Sequence, residues 1–309
     1  MNARRTAGSQ RGVAIVLAMG VAALAAIAAT AMLLSQSTWA RQSELSADRI
    51  QAQLVVRAGV DWARAVLSYD RLSSNVDHLG ESWALRLPQM PVENGKLAGF
   101  IDDQQGRYNL NNLIKNGQIN PIQFAHFQRL LSLLELPASL ANTLADWLDA
   151  DSEPQPQEGA EDAYYLSLTT PYLAANRLLI DVAELALVRG FDENIRARLA
   201  PYVTALPGFT PVNANTATAE VLAAVVTGLS LDEARSVVAQ RDRTYARDRP
   251  DFRRMLPRDT QFADDDITVS SEYFIARIRA TIGGSEASGV VLLARQGPGW
   301  PAVVWLKAL

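Results

Sequence analysis

The chain has 309 residues, ample for a sizeable core and for two or three domains. Its formal net charge of −4 gives no electrostatic argument for a nucleic-acid partner. Cysteine is absent, which excludes thiol catalysis and cysteine zinc sites, and the two histidines, His78 and His126, have no G-x-S-x-G context beside them.

Residues 1–34 come first and organise the rest. Arg4, Arg5 and Arg11 lie in a short polar leader that Gly12 closes. Val13 to Leu34 then run for 22 residues without a charge. As a helix that is roughly 33 Å, enough for a bilayer core of about 30 Å. All three arginines precede the apolar run, so the positive-inside rule keeps the N-terminus cytoplasmic and sends the remainder across. A secretory signal peptide is the other reading. The run exceeds the usual h-region of ~7–15 residues and no A-x-A precedes a turn, although small residues before Ala40 keep that reading open. A cut between Gly12 and Val13 would remove the charged leader and keep the membrane helix. Leu45, Ala52, Val56, Gly59, Ala63 and Val66 recur at helical spacing, with no proline before Pro88. The pattern predicts one helix to about Ser68, ~55 residues and some 80 Å long, with a break near Ser35–Ser37 as the alternative.

Short extended pieces follow at Leu85–Pro91, Gly95–Asp103 and Gln105–Asn111, and Asn94-Gly95 signals a hairpin. Asn109, Asn111 and Asn112 are expected to cap the next helix or close a turn. Pro121 opens a helix with Phe124, Phe127, Leu130, Leu131 and Leu134 on one face, and Pro137 ends it. A second helix, Ser139 to Leu148, packs Leu140, Leu144 and Trp147.

Asp146, Asp149, Asp151, Glu153, Glu158, Glu161 and Asp162 fall in a stretch that has no Lys or Arg between Arg129 and Arg177. Pro154, Pro156 and Gly159 make it a loop. Carboxylates without an internal cation repel, so ordering them requires a hard cation. Oxygen-only ligands suit Ca²⁺, whereas Mg²⁺ would need stricter octahedral geometry. Asp149 and Asp151 start like an EF-hand, but its glycine and final glutamate do not follow. A solvated acidic loop is the plain reading. A two-carboxylate hydrolase competes and lacks an apolar setting for one acid.

Asp181–Val188 and Glu193–Leu199 read as helices, and Pro207-Gly208 opens a loop. In the segment from Val212 to Leu222, Asn215 or Thr216 could cap an alanine-rich helix. The hairpin after it, Thr227-Gly228-Leu229-Ser230, has one glycine. Arg241, Arg243, Arg247, Arg249, Arg253 and Arg254 alternate with Asp242, Asp248 and Asp251, which predicts a solvated, salt-bridged surface. Ile267–Ser271, Tyr273–Ile282, Gly289–Gln296 and Pro301–Leu306 read as strands with Gly283-Gly284 as a break. The class is α+β.

A leader ending in glycine ahead of an apolar helix resembles the type IV pilin and pseudopilin class. Most members carry Glu five residues into the mature chain. Here that position is Leu17, which resembles the minor pseudopilin K of type II secretion systems. FIDDQQGRYNLNNL (residues 100–113) is similar to the D-x-x-G-R-[FY]-N-L-N signature of those pseudopilins. D-W-L-D-x-D-S-E-P and G-A-E-D-x-Y-Y look like their calcium-binding loop. V-N-A-N-T-A (212–217) resembles a helix-hairpin-helix repeat of DNA-uptake proteins.

The resemblance to the K pseudopilins implies a pilin-like long helix packed on an antiparallel sheet, with a large inserted all-α domain. Its parts would be a leader, 1–12; a membrane helix, 13–34, continuing to about 68; the first part of the αβ head, 69–112; the insertion, 113–265, with acidic loop 146–162 and hairpin-like segment 212–240; and closing strands, 266–309. Asp149, Asp151, Glu161 and Asp162 would bind a structural calcium, with Glu153 and Glu158 as weaker ligands and carbonyls near Ala160 completing the shell. Prepilin peptidase would cut between Gly12 and Val13, with methylation of Val13 left open. The resemblance further implies a single-pass inner-membrane protein with a periplasmic head, no catalysis and no nucleic acid. It would cap the pseudopilus tip, partnered by I- and J-type minor pseudopilins, and help start the filament. The alternatives are a membrane-anchored DNA-uptake protein and a periplasmic hydrolase.

Overall fold

The computed structural model of the chain describes residues 9–297 and 299–308. Most of the expected leader, including Arg4 and Arg5, lies outside the described residues. Helix α1 runs unbroken from Ser9 to Ser73. Neither proline nor a glycine pair interrupts it, and at Ser37 and Thr38 both hydroxyls turn back onto the Leu34 carbonyl, 2.8 and 2.9 Å away. No break therefore occurs at residues 35–37, and the helix extends beyond Ser68 to Ser73. Residues 12–47 are exposed all round. Beyond them one face is buried: Ala52, Val56, Val60, Ala63 and Leu67, spaced four, four, three and four apart, as a helix lying on a surface requires.

That surface is a five-stranded antiparallel sheet. Strands β1 (Leu87–Val92) and β2 (Gly95–Asp103) form a hairpin turned by Glu93 and Asn94, one residue earlier than the expected Asn94-Gly95, with Asn94 in the left-handed region at a φ of 61° and Gly95 already paired with Val92. After β2 the chain leaves the sheet. Short β3 (Tyr108–Asn109), β4 (Ile114–Lys115) and β5 (Gln118–Ile119) lead into α2 (Pro121–Leu133) and α3 (Leu140–Leu148). Then come α4 (Asp162–Leu166), α5 (Glu193–Leu199), β6 (Val203–Thr204), β7 (Val212–Asn213), α6 (Ala219–Val225), α7 (Leu231–Arg241), α8 (Arg249–Met255) and β8 (Ile267–Thr268). The chain re-enters the sheet as β9 (Tyr273–Ile282), β10 (Ser285–Ala294) and β11 (Ala302–Ala308). The sheet order is β1-β2-β9-β10-β11. The helical body is thus inserted between two neighbouring strands, and the Gln104 amide donates to the Tyr273 carbonyl at 2.9 Å where the chain leaves and returns.

Two cores result. Val56, Val60, Ala63 and Leu67 of α1 meet Ile101, Phe274, Ala276, Ile278, Val291 and Leu293 of the sheet. Gly59 permits this approach, because a Cβ there would stand 2.8 Å from Ile278 Cγ2. The larger core fills the body around Phe127, Leu130, Leu131, Leu144, Trp147, Tyr165 and Leu222.

A buried polar joint ties head to body. Arg295, on the residue after β10, reaches Asp70 at 2.8 Å and Asp77 at 2.5 Å, both buried. Asp77 also accepts from the Ser271 amide, and Asp103 accepts from Asn213, Thr216 and Ser271 side chains. His78 stacks on Tyr245 of the body, ring centroids 3.9 Å apart.

Several sequence expectations change here. Residues 105–111 are not a strand beyond β3, because Asp103 accepts from the Gln105 amide and bends the chain. Asn109 caps the 3-10 turn at residues 110–113 as expected, its side chain accepting from the Asn111 amide at 3.1 Å, but the next two asparagines reach much farther than a local cap. Asn111 bonds Leu179 and Leu206, and Asn112 bonds Thr210 through both amide atoms. Residues 182–187 form a 3-10 turn, held by a capping box of Asp181 and Glu184, instead of an α-helix. Neither Asn215 nor Thr216 caps α6. Thr218 does, while Asn215 ties down Ala246 and Thr216 bonds Asp103. Arg241 is buried and donates to the Ala214 carbonyl, so it departs from the expected solvated surface.

Candidate metal centre

Helix α3 delivers the first carboxylates. Its apolar face is buried throughout, and Asp146 lies in the last turn with 0 % exposure. Asp146 holds the loop: both its oxygens accept from the Gln155 amide at 3.1 Å, and one accepts from the Ala160 amide at 2.7 Å. Asn142 grips the opposite side through the Pro156 and Gln157 carbonyls. Gly159 is obligatory, since a Cβ would stand 2.3 Å from the Gln155 carbonyl oxygen and 2.5 Å from Asp146 Oδ2. Residues 157 and 158 pass through left-handed φ values of 63° and 73°. The loop is therefore folded back on α3, with Asp149 at its start and Glu161 at its end.

This fold-back juxtaposes Asp149, Asp151 and Glu161, with one oxygen of each within 4.8 Å of the others. Asp149 and Glu161 are 1 % and 5 % exposed, and Asp151 is exposed. Asp149 Oδ1 and both Glu161 oxygens are buried without a hydrogen-bond partner. Among the described residues no cation pairs with any of the three. Burial, with Asp151 and Asp146 nearby, raises the Asp149 carboxyl to about 6. Burial and then Asp146, Asp149, Asp151 and Asp162 raise Glu161 to about 7. Such an array of oxygens suits a hard divalent cation, which would replace the missing donors and the missing positive charge together.

Of the four expected ligands, three come together. Asp162 stands apart: its Oδ1 accepts from the Ala174 amide at 2.9 Å at the start of α4. Glu153 is exposed, and Glu158 is exposed and accepts from the Ser139 hydroxyl. Asp146 was readable as part of the acidic run. Its role in holding the loop amides depends on the fold-back and leaves no signal in the sequence beyond Gly159. A second carboxylate group, Asp70, Asp77 and Glu81, differs in kind, since Arg295 already supplies its cation. Gly12 and Val13, the expected processing site, lie in the exposed part of α1, with nothing within 4 Å of a Cβ built at Gly12.

Two family models match the chain, both described as type II secretion system protein K, over residues 106–208 and 212–270, together more than half of it. A type II secretion system protein K from Pseudomonas aeruginosa is 36% identical over 258 residues, 80% of this chain and 77% of the relative. Its counterpart from Klebsiella pneumoniae is 33% identical over 305 residues, 93% of each. The fold is similar to a chain in the crystal structure of the GspK-GspI-GspJ complex of the enterotoxigenic Escherichia coli type 2 secretion system. The TM-score is 0.75 at 26% identity, covering 88% of this chain and 99% of that one. The inserted helical body, the sheet it interrupts and these matches over most of the length lead to one statement: the chain belongs to the type II secretion system protein K family.

Proposed function

We propose that this chain is a non-enzymatic minor pseudopilin that sits at the tip of a type II secretion pseudopilus. There it assembles with I- and J-type minor pseudopilins and helps to start the filament. The observation that carries the reading is helix α1. One part is apolar and exposed on every side, and a later part buries one face on a sheet into which a helical body is inserted. Residues 13–34 would anchor the protein in the inner membrane, with the N-terminus cytoplasmic and the head periplasmic. The inserted helical body would block addition of a further subunit above it. The match to a chain crystallised with GspI and GspJ supports the choice of partners. Mass spectrometry of the purified protein tests the reading: a mature chain beginning at Val13 is expected after prepilin peptidase, and a chain that starts beyond Leu34 or retains Met1 overturns it.

The acidic site would hold calcium through Asp149, Asp151 and Glu161, with Asp146 positioning the loop. Its role would be structural, pinning residues 149–161 to α3. The unpartnered buried oxygens of Asp149 and Glu161 support this. A melt with calcium and with EGTA tests it, and coincident midpoints overturn it.

A further inference from the structure

Side chains alternate along a strand, so Ile275 and Arg277, set between the core residues Phe274, Ala276 and Ile278, face away from α1. On that far face Ile275, Leu292 and Trp305 form one row across β9, β10 and β11, and Arg277, Val290 and Lys307 form the next. Leu206 of the body closes on Tyr273 and Leu292 in a small third core. Beside this core sheet and body do not meet fully. A cavity of about 230 Å³ separates the two rows from Val182, Ala200 and Val203 of the body.

Arg107 enters this cavity from the point where the chain leaves the sheet. The turn there is tight: the Arg107 amide donates to the Gln104 carbonyl at 3.2 Å, and a Cβ at Gly106 would stand 2.8 Å from the Thr216 hydroxyl oxygen. The Gly-Arg pair of residues 106 and 107 therefore sets a guanidinium at the seam between head and body. The charges around it are unevenly matched. Lys307 pairs with Asp181 at 2.7 Å, and Arg277 with Asp102 at 3.2 Å. Asp103 is held by Asn213, Thr216 and Ser271. Arg107 pairs with no carboxylate among the described residues. Of its five N–H donors, one bonds a neutral acceptor, Gln104 Oε1 at 3.1 Å, which Thr204 already shares. Burial, the largest influence, lowers the Arg107 guanidinium from its usual value, and Arg277 adds to that while Asp102 and Asp103 oppose it. On the facing wall Trp305 has a buried indole N–H with no acceptor. The cavity thus has donors on both walls and lacks one negative charge.

We propose that this cavity binds a small aliphatic monocarboxylate, its two oxygens on the Arg107 fork and its tail on Val290, Leu292 and Val203. A carboxylate supplies the single charge that is missing and matches the planar fork in two parallel hydrogen bonds, whereas a phosphate dianion carries more charge than one arginine balances. Cavities for drug-sized ligands run to ~300–1,000 Å³, so this smaller one suits an acid of a few carbons. The bound acid would touch sheet and body at once and so strengthen their docking.

Butyrate is the probe, with butyramide as its uncharged counterpart and inorganic phosphate as the competing anion. Full-length chain in detergent, at fixed calcium and fixed ionic strength, is followed by saturation-transfer NMR. Butyrate is expected to bind with a Kd on the order of 1 mM, and butyramide and phosphate at least about tenfold more weakly. Arg107→Gln is expected to weaken butyrate at least about tenfold, and Arg107→Lys, which keeps the charge and loses the fork, to fall between. Val290→Phe leaves Arg107 in place and fills the cavity from β10, so it should exclude butyrate even if both arginine variants fail to fold. Equal binding of butyrate and butyramide overturns the proposal, as does phosphate binding as tightly as butyrate. Undiminished butyrate binding in Arg107→Gln or in Val290→Phe overturns it too. So does a chain that binds no butyrate but loses I- or J-type partners on Arg107→Gln, because the carboxylate then comes from a protein side chain.

Discussion

Gly159 and Asp146 decide whether the acidic loop can close. Gly159→Ala would push a methyl into the Gln155 carbonyl and the Asp146 carboxylate, and no flexible side chain is there to yield. Loss of about 2 kcal/mol or more is expected, read as a lower midpoint in denaturant, together with loss of any calcium-induced stabilisation. Asp149→Asn and Glu161→Gln act differently. Each leaves the fold intact and removes a ligand, so the calcium-dependent rise in melting temperature is expected to disappear. In the wild type that rise should be about 5–10 °C with calcium at a hundredfold excess over Kd. Asp162→Asn should keep most of the response, because Asp162 serves the Ala174 amide.

The same carboxylates predict a pH profile. Their folded pKa values, about 6 for Asp149 and about 7 for Glu161, lie above the ordinary values of 3.8 and 4.5. Without metal, the folded chain binds more protons than the unfolded chain between roughly pH 4 and 7. Stability should therefore fall as pH rises through that window in EGTA. Saturating calcium, which needs the ionised carboxylates, should remove the share of the fall that Asp149 and Glu161 cause and leave that of Asp70 and Asp103, which burial raises to about 6. A pH-independent melt in EGTA would contradict the burial of these groups.

At the scale of elements, the seam between α1 and the sheet depends on close approach. Gly59→Val is expected to cost about 1–3 kcal/mol, because Ile278 already occupies the space a side chain would need. The joint beneath it depends on charge. Arg295→Met would strand Asp70 and Asp77 in the interior, and about 3–5 kcal/mol should be lost in chemical denaturation.

Much of the element pattern was legible because it is local. The helical spacing of Ala52, Val56 and Ala63, the hairpin near Asn94-Gly95, the span of α5 and the alternation of β9 each sit within a few residues. The asparagines after β2 were not legible in the same way. Asn112 answers Thr210, 98 residues on, and Asn111 answers Leu179 and Leu206. A polar residue placed to satisfy a distant backbone looks, in sequence, like any turn former. The candidate site divides along the same line. The acidic loop declared itself by an excess of uncompensated charge, and the choice of Asp149, Asp151 and Glu161 within it came from the family resemblance, whereas the diversion of Asp162 depends on where residue 174 comes to lie.

The whole molecule combines a rod with a head and a body, and among the described residues the rod's first part makes no contact with either. The first tie between them is the Leu45 carbonyl, which accepts from Ser285 at 3.3 Å, followed by Asp48 at the Gly284 amide. Removing residues 1–41 is therefore expected to leave the melting temperature of the remainder within about 2 °C, measured against the full chain in detergent.

Synthesis from the N-terminus imposes an order on this architecture. The middle strand of the sheet, β9, is made only after the entire helical body, and β2 waits for it with one edge open. The stem's apolar underside waits as well, since its partners on β9 and β10 are among the last residues to emerge. The body, whose contacts lie mostly within itself, can mature first and bring the two ends of the interruption side by side at Gln104 and Tyr273. Sheet closure then becomes a short search, and a defect in the body would show itself as an unzipped platform beneath a well-formed rod.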